Sequence, residues 1–348
     1  MSRSEYIHAL AERYAQGDSV AMNKILECAM TDDEACFILD LPAPTAELAA
    51  KYNMDEPTVE AKLVGLARRG LLVRSRNGLR FPSDPATLHD AILSSASECI
   101  PPGMDRAWME LYDGEGWGVQ IGTVLSSLPT PVLRTIPSQH TVPPGTALLP
   151  HEDVVEIILA HQDLISIRNC CCRVAAKKCN HPNQVCMQFA RRAEYDIFRG
   201  SGRKVSAEEA IAIAAEAGNS GLVPTVSNLS KLNELDFICF CCGCCCLVIN
   251  PGLRVGGLQK ILAPSRFVST VDADVCNACG ECAQRCAVDA IAVKDEGWVA
   301  VVDRDKCLGC GACVLACPLD GGITMEAIRP PEFIPEVGFG PSSILMDM

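Results

Sequence analysis

Two cysteine runs near the C-terminus constrain this chain more than any other feature. The first reads Cys-x2-Cys-x2-Cys-x3-Cys from Cys276 to Cys286, and the second repeats that spacing from Cys307 to Cys317, followed by Pro318. Three thiolates at x2 spacing can bind one iron–sulfur cube, while the fourth cysteine of each run reaches the other cube. The spacing therefore predicts two 4Fe-4S clusters, one on Cys276, Cys279, Cys282 and Cys317, the other on Cys307, Cys310, Cys313 and Cys286.

The double run resembles the bacterial-type two-cluster ferredoxin domain over about residues 267–328. Zinc knuckles fit less well, because a zinc site uses four ligands in two pairs and this chain repeats a quartet. A disulfide framework also fits poorly. The resemblance implies a ferredoxin-like domain of βαβ repeats over residues 266–328. The chain departs from the family at Ala287, where a proline is usual, and keeps every ligand.

A second group of cysteines lies upstream, in two short segments that together hold eleven thiols, far more than a packed core recruits. In the first segment, an extended backbone would point Cys170 and Cys172 the same way and Cys171 the opposite way, so Cys171 is left out of the predicted set. In the second segment, several pairs have x2 spacing, with Cys245 or Cys246 next in line. The predicted ligands are Cys170, Cys172, Cys179, Cys186, Cys239, Cys241, Cys242, Cys244 and Cys245.

The first four of these ligands form a complete set, so one further 4Fe-4S cluster is predicted and a fourth is arithmetically possible. Adjacent thiolates also occur in non-cubane clusters of the heterodisulfide-reductase type, and zinc in one of the two sites is a further alternative. Arg173, beside the triple cysteine, is expected to donate hydrogen bonds that raise a cluster potential, unless it forms a simple salt bridge.

The paired cysteine signature, followed by the ferredoxin repeat, resembles a family of multi-cluster 4Fe-4S binding proteins from anaerobes over about residues 133–328. The resemblance implies that both upstream groups bind clusters. It implies no particular reaction or substrate.

Thr31 to Glu34 form a capping box that opens a helix. Further on come a helix capped by Thr45, a second helix capped by Asp55, and a hairpin around Asn77-Gly78. With this succession of helix, turn, helix and hairpin, residues 1–95 resemble a winged-helix domain. The start of the second helix is acidic, which argues against reading DNA, although the wing is basic. A protein-docking or scaffolding role is favoured. The basic wing residues are Arg74, Arg76 and Arg80.

The remaining sequence predicts an α+β protein of several domains. A Cys-rich α/β domain spans residues 96–265 and begins with an irregular, Pro- and Gly-rich linker at 96–150, and residues 329–348 form an extended docking tail. Ser206 is expected to cap a helix through Ala217. There is no apolar run long enough to cross a bilayer and no export signal. Reduced thiolates, together with the lack of such segments, predict a cytoplasmic protein of an anaerobe.

The net charge and the missing motifs exclude several classes of function. The net charge of −13 argues against binding to nucleic acid. Residues 267–328 hold ten Asp and Glu against four Lys and Arg, which suits either docking on a basic redox partner or simple solubilisation of a cluster-rich domain. No nucleotide-binding or hydrolase motif is present. The sequence therefore predicts an electron-transfer subunit that relays single electrons between a partner such as a flavoprotein or metalloenzyme subunit and a soluble carrier, in a hetero-complex. The alternatives are a catalytic iron–sulfur reductase subunit with a substrate-binding central cluster, and a redox-sensing winged-helix regulator.

Overall fold

The structure, a computed structural model, describes residues 3–75, 77–294 and 298–336. Arg76 of the predicted wing and residues 337–348 of the predicted tail lie outside these residues. Helices and strands are mixed over several sheets, as an α+β protein requires. No helix among the described residues is long and apolar enough to span a membrane.

The N-terminal third is helical and carries one small hairpin. Local hydrogen bonds confirm the predicted helix starts: the Thr31 capping box is present, and the Asp55 side chain accepts from the Thr58 backbone N–H. Pro44, not Thr45, occupies the capping position of the fourth helix. The elements are α1 Arg3–Glu12, α2 Val20–Ala29, α3 Asp32–Leu39, α4 Thr45–Tyr52, α5 Glu56–Arg68, β1 Val73–Ser75, β2 Gly78–Arg80, α6 Pro85–Leu93, α7 Met104–Met109 and α8 Trp117–Ser126.

The stretch predicted to be an irregular linker is largely helical as far as residue 126. Helices α7 and α8 are joined by a π-helical turn, Glu110–Gly114, and each begins after a glycine with positive φ, Gly103 or Gly116. Trp108 and Trp117 are buried in the same apolar core as α1 to α6. The prolines and glycines that suggested a loop therefore mark helix boundaries, because glycine adopts the left-handed conformation without strain.

A seven-stranded sheet forms the centre of the molecule, in the order β6-β4-β5-β8-β7-β3-β9. Its pairs are antiparallel except β3 with β9. Ser206 caps α12 as predicted. The elements of this region are β3 Leu133–Thr135, α9 Val154–Ala160, β4 Ile165–Asn169, α10 Cys171–Ala176, β5 Gln184–Phe189, α11 Ala190–Arg199, β6 Gly202–Val205, α12 Ala207–Asn219, β7 Val223–Ser227, β8 Phe237–Cys241, α13 Ile249–Arg254, α14 Leu258–Ile261 and β9 Leu262–Ala263.

The C-terminal region consists of two antiparallel strand pairs, β10 with β13 and β11 with β12, and two short helices that contact each other. After β13 the chain folds back on the protein's own surface: Arg329 Nη1 donates to the Ser265 carbonyl at 2.6 Å, and Ile334 is buried. The elements are β10 Phe267–Val271, α15 Glu281–Arg285, β11 Ile291–Lys294, β12 Val299–Val302, α16 Ala312–Ala316 and β13 Ile323–Ala327.

Candidate iron–sulfur and metal centres

The first predicted ferredoxin quartet converges in three dimensions. Two of its cysteines lie on the loop after β10, one lies on α15, and the fourth follows α16 at the end of the second run. All four line one small cavity of about 20 Å³. The Ala300 backbone N–H donates to Cys276 Sγ at 3.5 Å, the kind of hydrogen bond that tunes a cluster potential. The four are Cys276, Cys279, Cys282 and Cys317.

The second ferredoxin quartet is more deeply buried. Burial, and after it the charges of Cys313, Cys286 and Cys307, raise the pKa of Cys310 well above its ordinary value, which indicates that the four thiols lie together. Ser269 Oγ lies 3.0 Å from Cys313 Sγ, and the Ala290 N–H donates to Cys286 Sγ at 3.2 Å. Each group therefore brings together thiols from both runs. Their assignment as the ligands of two 4Fe-4S clusters stays a prediction.

Strand register brings two distant cysteine segments together on the central sheet. Met187 of β5 pairs with Ile238 of β8, so the next residues along the two strands, Cys186 and Cys239, face each other. The hydrogen-bonding thiol of Cys239 lowers the pKa of Cys186 to about 7, although burial raises it. Cys241, two residues along β8, lies on the same face of the sheet because side chains alternate along a strand.

These thiols line a cavity of about 160 Å³ between the sheet and helices α6, α8 and α10. Cys170 to Cys172 reach it from the start of α10, and Cys246 from the turn after β8. The extended backbone predicted for Cys170 to Cys172 is wrong, because Cys170 is the residue before α10 and Cys171 is helical. The cavity-lining cysteines are Cys170, Cys171, Cys172, Cys186, Cys239, Cys241, Cys242 and Cys246.

Cys179 does not join the other cysteines of its own segment. Its Sγ lies 3.9 Å from Cys242 Sγ and 3.7 Å from Cys245 Sγ. With Cys244 these residues form a compact quartet, in which every pair of Sγ atoms is within 4.8 Å. The predicted grouping of Cys179 with Cys170, Cys172 and Cys186 is therefore wrong, because Cys179 lies with Cys242, Cys244 and Cys245 and does not line the cavity that the other three line.

Arg173 lies between the two thiol groups and is 3% exposed. Its Nη1 donates to the Phe240 carbonyl at 2.9 Å, while Nε and Nη2 are buried and make no hydrogen bond within the described part of the chain. Burial lowers the pKa of Arg173, but the charges of Cys170, Cys242 and Cys241 raise it above its ordinary value. Two unused donors facing a thiol-lined cavity fit an anionic iron–sulfur cluster bound there.

A buried ion pair fixes the strand that leads into the cysteine loop. Arg168, at the end of β4, donates to both carboxylate oxygens of Asp90 on α6 at 3.0 and 2.9 Å, and to Ser94 Oγ at 2.8 Å. Burial raises the pKa of Asp90, but Arg168 outweighs that effect and the net pKa is lowered. The pair anchors the N-terminal helices to the central sheet beside the cavity.

The comparisons with known proteins agree with the C-terminal part of this picture. A family model described as a 4Fe-4S dicluster domain matches residues 269–325. The chain therefore carries a ferredoxin-type iron–sulfur domain. No curated protein and no solved structure matches the chain.

Sequence reasoning missed three contributors to the central site. The prediction of an extended backbone excludes Cys171, and the spacing does not distinguish Cys246 from Cys245, whereas both Cys171 and Cys246 line the cavity. The Asp90 to Arg168 pair joins residues 78 positions apart, and no local pattern connects them. The run of three adjacent cysteines from Cys244 to Cys246 is a sequence signal that this turn contributes to two groups of thiols. Three adjacent side chains cannot all point to one side of an extended chain.

Proposed function

We propose that this chain is an iron–sulfur electron-transfer protein that relays single electrons through two ferredoxin-type 4Fe-4S clusters and at least one further centre, to or from a partner oxidoreductase. Bound clusters of this kind supply one-electron exchange. The chain's own residues hold the thiolates, exclude water and aim N–H donors at the sulfurs. The family match over residues 269–325 and the cysteine-lined central cavity support the proposal.

The observation that carries the relay is the direct contact between the central cysteine turn and the ferredoxin-type domain. Gly243 sits so close to the backbone after Cys286 that a Cβ at this position would lie 2.0 Å from the Ala287 carbonyl oxygen. Cys241, Cys246 and Cys307 share one apolar core cluster. The predicted central centre and the quartet containing Cys286 are therefore neighbours, and their loops pack directly against each other at Gly243 and Ala287.

The order of the centres follows from this packing. The quartet with Cys286 and Cys307 faces the central sheet, where the Ser138 N–H donates to the Cys310 carbonyl at 2.9 Å. The other quartet faces outward, since Cys279 is exposed, and Trp298, two residues before the Ala300 N–H that donates to Cys276 Sγ, is 73% exposed. We place the electron exit to a soluble partner at this outer quartet, whose loops carry the exposed acidic residues Asp272, Asp274 and Glu281.

Anaerobic purification followed by iron and sulfide analysis tests the proposal. Three 4Fe-4S clusters correspond to about twelve irons and about twelve acid-labile sulfides per chain. About eight irons or fewer would confine the clusters to the C-terminal domain and exclude the relay as drawn.

A second candidate is a catalytic subunit with a substrate-binding central cluster. The cavity favours it, because one wall is apolar and a cluster alone does not need that wall: Ile121, Leu125, Val132 and Phe237 line it. Addition of small thiols or disulfides would then shift the paramagnetic resonance signal of the central cluster. An unchanged signal across such a panel leaves the relay as the function.

The winged-helix-like region supports docking or scaffolding more than DNA binding. Arg74 of the hairpin forms an ion pair with Glu194 of α11 at 3.1 Å, so part of the basic charge of the wing is neutralised within the protein. Glu56 and Glu60 are exposed at the start of α5, where a recognition helix would meet phosphates. Gel shifts with oxidised and reduced protein at low salt test this. Retardation of DNA would support the alternative of a redox-sensing regulator.

A further inference from the structure

The compact quartet of Cys179, Cys242, Cys244 and Cys245 differs in kind from the other cysteine groups. Three of its Sγ to Sγ distances are 3.9, 3.7 and 3.6 Å, for Cys179 to Cys242, Cys179 to Cys245 and Cys244 to Cys245. No other group of three or more His, Cys, Asp or Glu in residues 3–75, 77–294 and 298–336 converges closely enough for a single ion. The eight ferredoxin cysteines are all within those residues and form no such group.

Sulfur spacing distinguishes a single ion from a cluster. With a zinc–sulfur bond of about 2.3 Å, the edge of a regular tetrahedron of four sulfurs is about 3.8 Å. In a 4Fe-4S cluster each thiolate binds a different iron, so the whole cube holds the four sulfurs farther apart. The measured distances agree with the edge of one tetrahedron, and all six pairs fall within 4.8 Å.

The space around the quartet leads to the same conclusion. Cys244 and Cys245 border a cavity of about 10 Å³, about the room that one water needs. Of the four residues, only Cys242 also lines the cavity of about 160 Å³. The room for a cluster therefore lies on the other side of Cys242, among the thiols of β5, β8 and α10.

We propose that Cys179, Cys242, Cys244 and Cys245 bind one tetrahedrally coordinated metal ion, zinc or a lone iron, and not an iron–sulfur cluster. Four thiolates in tetrahedral array are the donor set that these ions take. The ion joins the loop between α10 and β5 to the cysteine turn after β8. That turn contacts the ferredoxin-type domain through Gly243, so the ion stabilises the junction between neighbouring centres. This assignment does not depend on the relay.

The test compares two double variants purified anaerobically, with protein, zinc, iron and acid-labile sulfide measured on each. Cys179→Ser with Cys244→Ser removes two ligands of the quartet. Cys28→Ser with Cys99→Ser is the matched control, since these thiols are exposed or half-exposed and lie outside both thiol groups. We expect the first variant to lose about one metal ion per chain with its sulfide unchanged, and the control to lose none.

Loss of zinc identifies the zinc form, and loss of one iron without sulfide identifies the lone-iron form; both support a single ion. A loss of about four irons together with about four sulfides assigns a cluster to the quartet and overturns the proposal, as does an unchanged metal content. If the variant does not fold, X-ray absorption on the wild-type protein decides. Zinc with four sulfur neighbours at about 2.3 Å, or a fraction of iron with sulfur neighbours and no second iron, is expected. Absence of both contradicts the assignment.

Discussion

Substitution of Gly243 by alanine is the sharpest perturbation of the junction between the central site and the ferredoxin-type domain. The added Cβ would start 2.0 Å from the Ala287 carbonyl oxygen, whereas ordinary van der Waals contact begins at 3.4 Å, so the backbone must yield by about 1.4 Å. Overpacking of this size costs about 1–3 kcal/mol. The obstacle is backbone and not a flexible side chain, so we expect a value in the upper half of that range.

Two assays under anaerobic conditions read out this change. Thermal unfolding measures the loss of stability, and hydrogen exchange at residues 241–246 and 286–290 measures local opening, which should rise in both segments. The control is Gly65→Ala on α5, where an added Cβ meets nothing within 4 Å and should stabilise the helix by about 0.5–1 kcal/mol. Equal stability and equal exchange in Gly243→Ala and wild type would refute the proposed contact.

Three further predictions address the surroundings of the centres. Asp90→Asn should lower the free energy of unfolding by about 2 kcal/mol, because the buried Arg168 loses its bidentate carboxylate but keeps Asp196, whose Oδ2 lies 3.5 Å from its Nε. As a control, Glu234→Gln in the exposed pair with Lys231 should cost under about 1 kcal/mol. The pKa of Asp90 is lowered on folding, so its contribution to the free energy of unfolding is present above about pH 4 and is lost as the pH falls through the lowered pKa. The free energies of unfolding of wild type and Asp90→Asn should therefore converge at low pH in acid-unfolding measurements. Arg173→Gln should lower the reduction potential of the central centre by up to about 100 mV, because the positive charge and two N–H donors that favour the reduced state are lost. A redox titration with an unchanged potential would show that Arg173 faces no cluster. Ser269→Ala should lower the potential of only one ferredoxin-type cluster, the one bound by Cys313, whereas Ala at the exposed Thr270 should change neither; equal shifts in both clusters would contradict the assignment of Cys313.

Features set by local chemistry could be predicted from the sequence. The caps at Thr31, Asp55 and Ser206 each depend on one side chain and a backbone N–H three residues on, so the pattern and the structure agree. The ferredoxin-type domain is equally local, because its spacing alone implies its ligands, and a family model matches the same stretch.

The central site could be predicted in composition but not in grouping. Which thiols meet depends on the register of β5 against β8 and on the helix that begins at Cys171, and neither is determined by cysteine spacing. The extended backbone predicted for Cys170 to Cys172 is a helix from Cys171 onward, and Cys171 lines the cavity whereas Cys179 does not. Helices α7 and α8 were missed for a related reason: their bounding glycines resemble loop residues until the positive φ angles are seen.

The central claim is that residues 170–246 bind a redox-active cluster in addition to those of the C-terminal domain. The most direct test is a comparison of iron, sulfide and paramagnetic resonance between wild type and the variant Cys186→Ser with Cys239→Ser, both purified anaerobically. These two residues face each other across the strand pair and line the large cavity. We predict about twelve irons for wild type and a loss of about four irons with about four sulfides in the variant, with the ferredoxin signals retained. A wild-type content of about eight irons, unchanged by the substitutions, would contradict the account.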